Sequence, residues 1–133
     1  MNRRPTWRWI LAPLAVSGAF LIAGIAGAFA TGALGFWSLP GAGFCAALAV
    51  VLSTYFAAPK SRRLLCAGCA FAIGAVAAWV LLEPAWYPES YGAPRAYQRT
   101  YLPFIATCIG GVVGLVAIGA FRLRWPQPPT TSR

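Results

Sequence analysis

The sequence predicts an all-α membrane protein: four transmembrane helices in an up-down bundle, with both termini in the cytoplasm. Three observations predict this class. Of the 133 residues, 59% are hydrophobic and 10% are charged, whereas a soluble domain has about 25% charged residues. The mean hydropathy is +0.66. The apolar residues also form long continuous runs, and the basic residues cluster at the ends of those runs.

Four apolar runs are predicted as helices within a single domain that covers residues 1–125. Their predicted bounds are about 9–36, 41–58, 64–82 and 102–121. Each run is close to the ~20 apolar residues that a helix needs to cross a ~30 Å hydrocarbon layer. The first run is longer than this, which predicts tilt or a break, and its Pro13 lies near the start, where a missing N–H costs least. None of the runs alternates polar and apolar residues as a strand of a barrel would. The backbone hydrogen bonds must therefore be made within helices.

Charged and proline-rich segments separate the runs. The second run ends at Pro59 and the basic stretch 60–63, and the third ends at Glu83 and Pro84. An outer loop is predicted over 83–101. The fourth run continues into Arg122 and a proline-rich tail, of which residues 126–133 are predicted to be a disordered cytoplasmic tail.

The distribution of charge predicts the orientation. With four crossings, nine of the eleven basic residues fall on one side: Arg3, Arg4, Arg8, Lys60, Arg62, Arg63, Arg122, Arg124 and Arg133. The other side receives Arg95 and Arg99, together with both acidic residues, Glu83 and Glu89. Basic residues accumulate on the cytoplasmic side of membrane proteins. The termini are therefore expected in the cytoplasm and the 83–101 loop outside.

A cleaved signal peptide is the alternative interpretation of the first run. Arg3 and Arg4 precede an apolar stretch that leads to Ala28, Phe29 and Ala30, an A-x-A pattern. The apolar stretch has about 18 residues, more than the 7–15 of an ordinary signal peptide. A retained helix is favoured, and cleavage would leave three crossings with the same orientation.

Small residues at four-residue spacing predict how the helices pack, because lipid offers no hydrophobic drive for association and close backbone approach must replace it. The predicted packing residues lie on the first, third and fourth helices: Ala19, Ala23, Gly27, Gly74, Gly110 and Gly114. Packing within the chain is favoured, and a homo-oligomer interface is the alternative.

Cys66 and Cys69 form the sequence Cys-Ala-Gly-Cys and are weak candidates for thiol or soft-metal chemistry. Two sulfurs at i and i+3 share a helix face, and nearby arginines can stabilise a thiolate. Plain packing is the favoured alternative, because cysteine behaves as a small hydrophobic residue in apolar helices. Cys45 and Cys108 lie near the opposite ends of their helices and cannot join this pair. No metal, cofactor or catalytic residue is assigned.

The outer loop is the segment whose composition suits recognition of a partner. Its aromatic and arginine residues are the partner-binding candidates: Trp86, Tyr87, Tyr91, Arg95, Tyr97, Arg99 and Tyr101. Such residues anchor protein interfaces. They also settle at the membrane surface as an aromatic belt, which is the alternative interpretation.

The spans contain no Asp, Glu, Lys, Arg or His, which disfavours ion-coupled transport, and the chain has no histidine, which disfavours hydrolytic catalysis. The basic clusters flank apolar runs, so the lipid bilayer rather than nucleic acid is the expected partner. The favoured hypothesis is a non-enzymatic accessory or scaffold subunit of a membrane complex. The alternatives are a passive conduit for a small solute or soft metal, and a membrane thiol oxidoreductase that uses Cys66 and Cys69. The excess of arginine over lysine and the abundance of alanine and glycine suggest a GC-rich bacterial genome. With four helical spans, the expected location is the bacterial inner membrane.

Overall fold

The structure, a computed structural model, describes residues 7–82, 85–89, 94 and 98–124. In this part the chain forms four helices: α1 (Trp7–Ala33), α2 (Ser38–Ala57), α3 (Arg63–Leu82) and α4 (Leu102–Arg124). Each is long and apolar enough to cross a membrane. The shortest two have 20 residues, which corresponds to about 30 Å of helix. The predicted all-α class with four potential spans is confirmed, and the predicted tail 126–133 lies outside the described residues.

The turn between α1 and α2 lies earlier in the chain than the sequence predicts. α1 ends at Ala33 rather than at residue 36, because Gly35 adopts a left-handed backbone with φ 74°. The Gly35 N–H donates to the Gly32 carbonyl at 3.0 Å and the Phe36 N–H to the Thr31 carbonyl at 2.9 Å. This pair of hydrogen bonds is a Schellman motif, which satisfies the last carbonyls of the helix.

α2 correspondingly begins at Ser38 rather than at residue 41. Pro40 is therefore the third residue of the helix, where its missing N–H would have had no partner within the helix. Proline at this position starts α2 instead of preceding it.

α2 is the central helix. α1 packs against α2 alone, whereas α2, α3 and α4 all contact one another. Val51 and Tyr55 of α2 form the main buried cluster with Ala67 of α3 and Ile118 of α4. Because α1 does not reach α3 or α4, α1 and α3 flank α2 with an open space between them.

Most large apolar side chains point away from the bundle. Phe29 is 76% exposed, Leu81 75% and Leu123 87%, and no polar or charged side chain is buried among the described residues. This distribution suits a protein whose apolar faces are covered by lipid, where small residues carry the contacts between helices.

Candidate functional site

Two of the predicted packing residues, Gly27 and Gly110, lie where helices approach most closely. A Cβ atom on Gly27 would lie 2.8 Å from Cys45 Sγ and closer still to the Gly41 carbonyl oxygen. A Cβ on Gly110 would overlap the backbone carbonyl of Phe44. These helices therefore touch through their backbones, which larger side chains would keep apart.

The other predicted packing residues have looser surroundings. A Cβ on Gly114 would lie 3.1 Å from the side chain of Val51. Ala19 and Ala23 are half-buried on α1. Gly74 is exposed on α3, with no heavy atom within 4 Å of the place a Cβ would occupy.

Three contact glycines lie outside the predicted set. A Cβ on Gly41 would overlap the Thr31 side chain, one on Gly43 the Thr107 hydroxyl, and one on Gly111 the Phe71 ring. Gly41 and Cys45 are four residues apart, the same small-residue spacing that marked α1. This spacing on α2 could have identified it as a packing helix. The other three helices pack on it.

An open groove lies over α2 between α1 and α3, with a volume of about 390 Å³. α1 contributes Phe20 and Gly24 and α4 contributes Thr107 and Cys108. The remaining lining residues come from α2 and α3 and are mostly small: Leu39, Ala42, Gly43, Ala46, Ala47, Val50, Val51, Ala70, Phe71, Gly74, Ala75, Ala77, Ala78, Leu81 and Leu82. The groove exists because α1 and α3 do not touch.

The groove is almost entirely apolar. Of the described residues that line it, only Thr107 and Cys108 carry polar side chains. The Thr107 hydroxyl donates to the Pro103 carbonyl at 2.8 Å, so its proton is already used inside α4. The groove therefore suits an apolar ligand that packs against small residues, and it does not form a polar path for a solute.

The predicted outer loop forms a short antiparallel ribbon between its described residues 85–87 and 98–100, which is called the outer ribbon. Trp86 pairs with Arg99 in an isolated bridge. The Tyr87 N–H donates to the Gln98 carbonyl at 3.0 Å, and the Thr100 N–H to the Ala85 carbonyl at 3.1 Å. These backbone bonds hold the start of α4 close to the end of α3.

Aromatic contacts attach this ribbon to the helices. The Tyr87 ring lies 5.4 Å from that of Trp37 in the α1–α2 turn. The Tyr101 ring stacks on Trp79 of α3 at 5.8 Å, with an interplanar angle of 6°. Two predicted partner-binding tyrosines therefore pack within the chain.

The other partner-binding candidates divide into two groups. Trp86, at 58% exposed, and Arg99 lie on the surface. Tyr91, Arg95 and Tyr97 lie outside the described residues. Of the described candidates, Trp86 and Arg99 are the ones most open to a partner.

The four cysteines are free thiols. Cys66 is half-buried on α3 and Cys69 is exposed, while Cys45 packs against Gly27 and Cys108 lines the groove. In the described part of the chain, no group of three or more metal-binding side chains comes together. Neither Cys66 nor Cys69 is among the groove residues.

No protein family, curated protein or solved structure matches this chain. Its function is therefore inferred from its own groove, outer ribbon and charged ends.

Proposed function

We propose that this protein is a non-enzymatic accessory or scaffold subunit of a membrane complex, and that it binds a transmembrane helix of a partner protein. The binding site is the groove between α1 and α3. One observation carries the proposal: α1 packs on α2 alone. This leaves a groove within the membrane-spanning part of the helices, lined mostly by small residues.

The composition of the groove favours a helix as its occupant. In lipid, helices associate where glycine and alanine let backbones approach. Gly74 lines the groove with open space beside its backbone, and Ala75 and Ala78 of the same helix also line it. An acyl chain gains little from such positions, since it needs only apolar surface.

The same composition disfavours the two alternative functions. A conduit for a polar solute or soft metal needs ligands along its path, and the described lining offers Thr107 and Cys108 alone. The thiol hypothesis relies on Cys66 and Cys69, which lie apart from the groove. Packing remains the favoured role of this pair.

The outer ribbon extends the proposed binding surface. Leu82 lines the groove and is the last residue of α3, directly before the outer segment. Leu39 lines it from α2, two residues after Trp37, whose ring contacts Tyr87. A helix in the groove would thus emerge beside the exposed Trp86 and Arg99, whose residue types are frequent at interface centres.

We infer an up-down order of the helices from the contacts between them. Gly24 faces Ala46 while Gly27 faces Gly41, so α1 and α2 run in opposite directions. Phe71 meets Gly111 and Trp79 meets Phe104, which supports the same relation between α3 and α4.

The charge distribution then supports cytoplasmic termini and a bacterial inner-membrane location. Lys60, Arg62, Arg122 and their neighbours lie at the end of the bundle opposite the outer ribbon. Basic residues are retained on the cytoplasmic side. The groove would accordingly open in the outer half of the membrane.

Site-specific photo-crosslinking in intact cells tests the proposal. A photoreactive amino acid at Gly74, where a Cβ atom would meet no heavy atom within 4 Å, should give one discrete adduct with a membrane protein. The same group at Ile73, which is 71% exposed on another face of α3, is the matched control and should give none. Peptide mapping should place the crosslink in a transmembrane segment of the partner.

A blocking substitution provides the second readout. Gly74→Trp should reduce co-purification of the crosslinked partner about tenfold, because overpacking costs ~1–3 kcal/mol and 1.4 kcal/mol is a factor of ten. Ile73→Trp should leave co-purification unchanged. Adducts with lipid alone, an adduct of twice the chain mass, or equal losses from both tryptophan variants would each contradict the proposal.

A further inference from the structure

The end of the bundle opposite the outer ribbon concentrates positive charge. The α2–α3 link, the start of α3 and the end of α4 bring five basic residues there: Lys60, Arg62, Arg63, Arg122 and Arg124. The only two acidic residues of the sequence, Glu83 and Glu89, belong to the outer segment. Among the described residues, no acidic side chain lies at the basic end.

Packing between α2, α3 and α4 holds this basic end together. Tyr55, Ala67 and Ile118 share one buried cluster, and each lies within about one to two turns of a basic residue. The α2–α3 link is short, and the Arg62 N–H donates to the Pro59 carbonyl at 2.9 Å. The cations are thus presented from a fixed framework rather than from a long loop.

Arg63 is the most ordered of the five. Its Nε donates to the Ala58 carbonyl at 3.4 Å, and its guanidinium carbon lies 5.6 Å from the centre of the Tyr55 ring. These contacts orient the guanidinium, and no described residue accepts a hydrogen bond from its terminal N–H groups. An arginine held in this way is suited to bind phosphate oxygens.

The start of α3 adds backbone donors to the same region. The first N–H groups of a helix have no partner within the helix. Arg62, Arg63, Leu64 and Leu65 carry no side-chain oxygen that could accept from them, and the first turn contains no acidic residue. Phosphate groups bind readily to such helix starts.

Apolar side chains lie directly beside the charges. Leu64 and Leu65 of α3 are 49% and 65% exposed, and Leu123 of α4 is 87% exposed. A ligand bound to the arginines would meet these side chains on its membrane side. The ligand should therefore combine an anionic phosphate with apolar chains.

We propose that this basic end binds the headgroup of an anionic phospholipid, with the phosphodiester on Arg62, Arg63 and the arginines of α4 and the acyl chains along the exposed leucines. Basic pockets between transmembrane helices are known to take such headgroups. The site is separate from the groove, so it stands or falls independently of the proposed partner.

Lipid titration of the full chain tests this site. Phosphatidylglycerol should bind the detergent-solubilised protein saturably, as followed by native mass spectrometry, whereas phosphatidylcholine should not. Arg62→Gln and Arg122→Gln should each weaken binding about fivefold, the effect expected for one surface charge near anionic lipid. Arg99→Gln removes the same charge from the opposite end and should change binding less than twofold.

Arg63→Gln should have the largest effect, but it also removes contacts to Tyr55 and Ala58. The helical content of the Arg63→Gln variant is therefore compared with that of the unmodified chain by circular dichroism. If this variant is unfolded, the variants of the exposed Arg62 and Arg122 decide the test. Equal loss from Arg99→Gln would show general charge attraction and overturn the proposal. So would equal binding of phosphatidylcholine, or displacement of phosphatidylglycerol by inorganic phosphate at similar concentration.

Discussion

The contact between Gly110 of α4 and Phe44 of α2 allows a sharp test of the packing. A Cβ on Gly110 would overlap the Phe44 carbonyl oxygen and lie 2.9 Å from Phe44 Cα. Those atoms belong to the backbone and cannot rotate away, so α2 and α4 must separate to admit even a methyl group. Overpacking of this kind costs ~1–3 kcal/mol. Gly110→Ala should therefore lower the free energy of unfolding despite the better helix propensity of alanine.

Gly119→Ala is the matched control for this variant. Gly119 lies on the same helix, with no heavy atom within 4 Å of a Cβ. Both substitutions gain the same helix propensity, up to about 1 kcal/mol. The difference between them therefore isolates the contact and should be about 1–3 kcal/mol.

Equilibrium unfolding in bicelles, driven by sodium dodecyl sulfate and followed by circular dichroism, measures this difference. Gly110→Ala should unfold at a lower detergent fraction than the unmodified chain, whereas Gly119→Ala should unfold at an equal or higher one. If the two variants unfold together, the α2 backbone does not reach Gly110 and the central position of α2 is wrong.

Two further predictions concern the α1–α2 turn and the cysteines. Gly35→Ala should lower the free energy of unfolding by about 1 kcal/mol, since an L-residue in the left-handed region costs ~1–2 kcal/mol. Gly32→Ala, in open space at the end of the same helix, should not lower it, and similar losses from both would refute the turn geometry. All four cysteines, free in the structure, should each take up a polyethylene glycol maleimide after acid trapping of cells. If Cys66 and Cys69 are labelled only after treatment with a reductant, they form a disulfide in cells, which would instead favour the oxidoreductase hypothesis.

The number and type of helices could be predicted because each depends on a local property. Apolar runs of sufficient length mark spans, and the stretches around Pro59 and Glu83 interrupt them. The α1–α2 boundary was harder, because Pro40 and Gly35 both mark a break in the same short stretch. Proline is also accepted in the first turn of a helix, and the structure uses Pro40 in that way.

The helix contacts could be predicted only in part, because small residues occur on several faces of each helix. Gly27 and Gly110 lie at close contacts, whereas Gly74, chosen by the same spacing, faces open space. The four-residue spacing shows that small residues line one face of a helix, but it does not identify which neighbouring helix packs against that face. The groove depends on the lack of contact between α1 and α3, which no local pattern encodes.

The groove can persist in a bilayer because the force that would close it in water is missing. Lipid chains solvate the apolar faces of α1 and α3 as well as a neighbouring helix does, so collapse gains little. Closure by α1 would moreover break the contact of Gly27 with Gly41 and Cys45, which fixes the C-terminal half of α1 on α2. What distinguishes a helix from lipid in this space is backbone proximity. Only a helix profits from the open backbone at Gly74, which is why a bulky residue at this position discriminates between the two occupants.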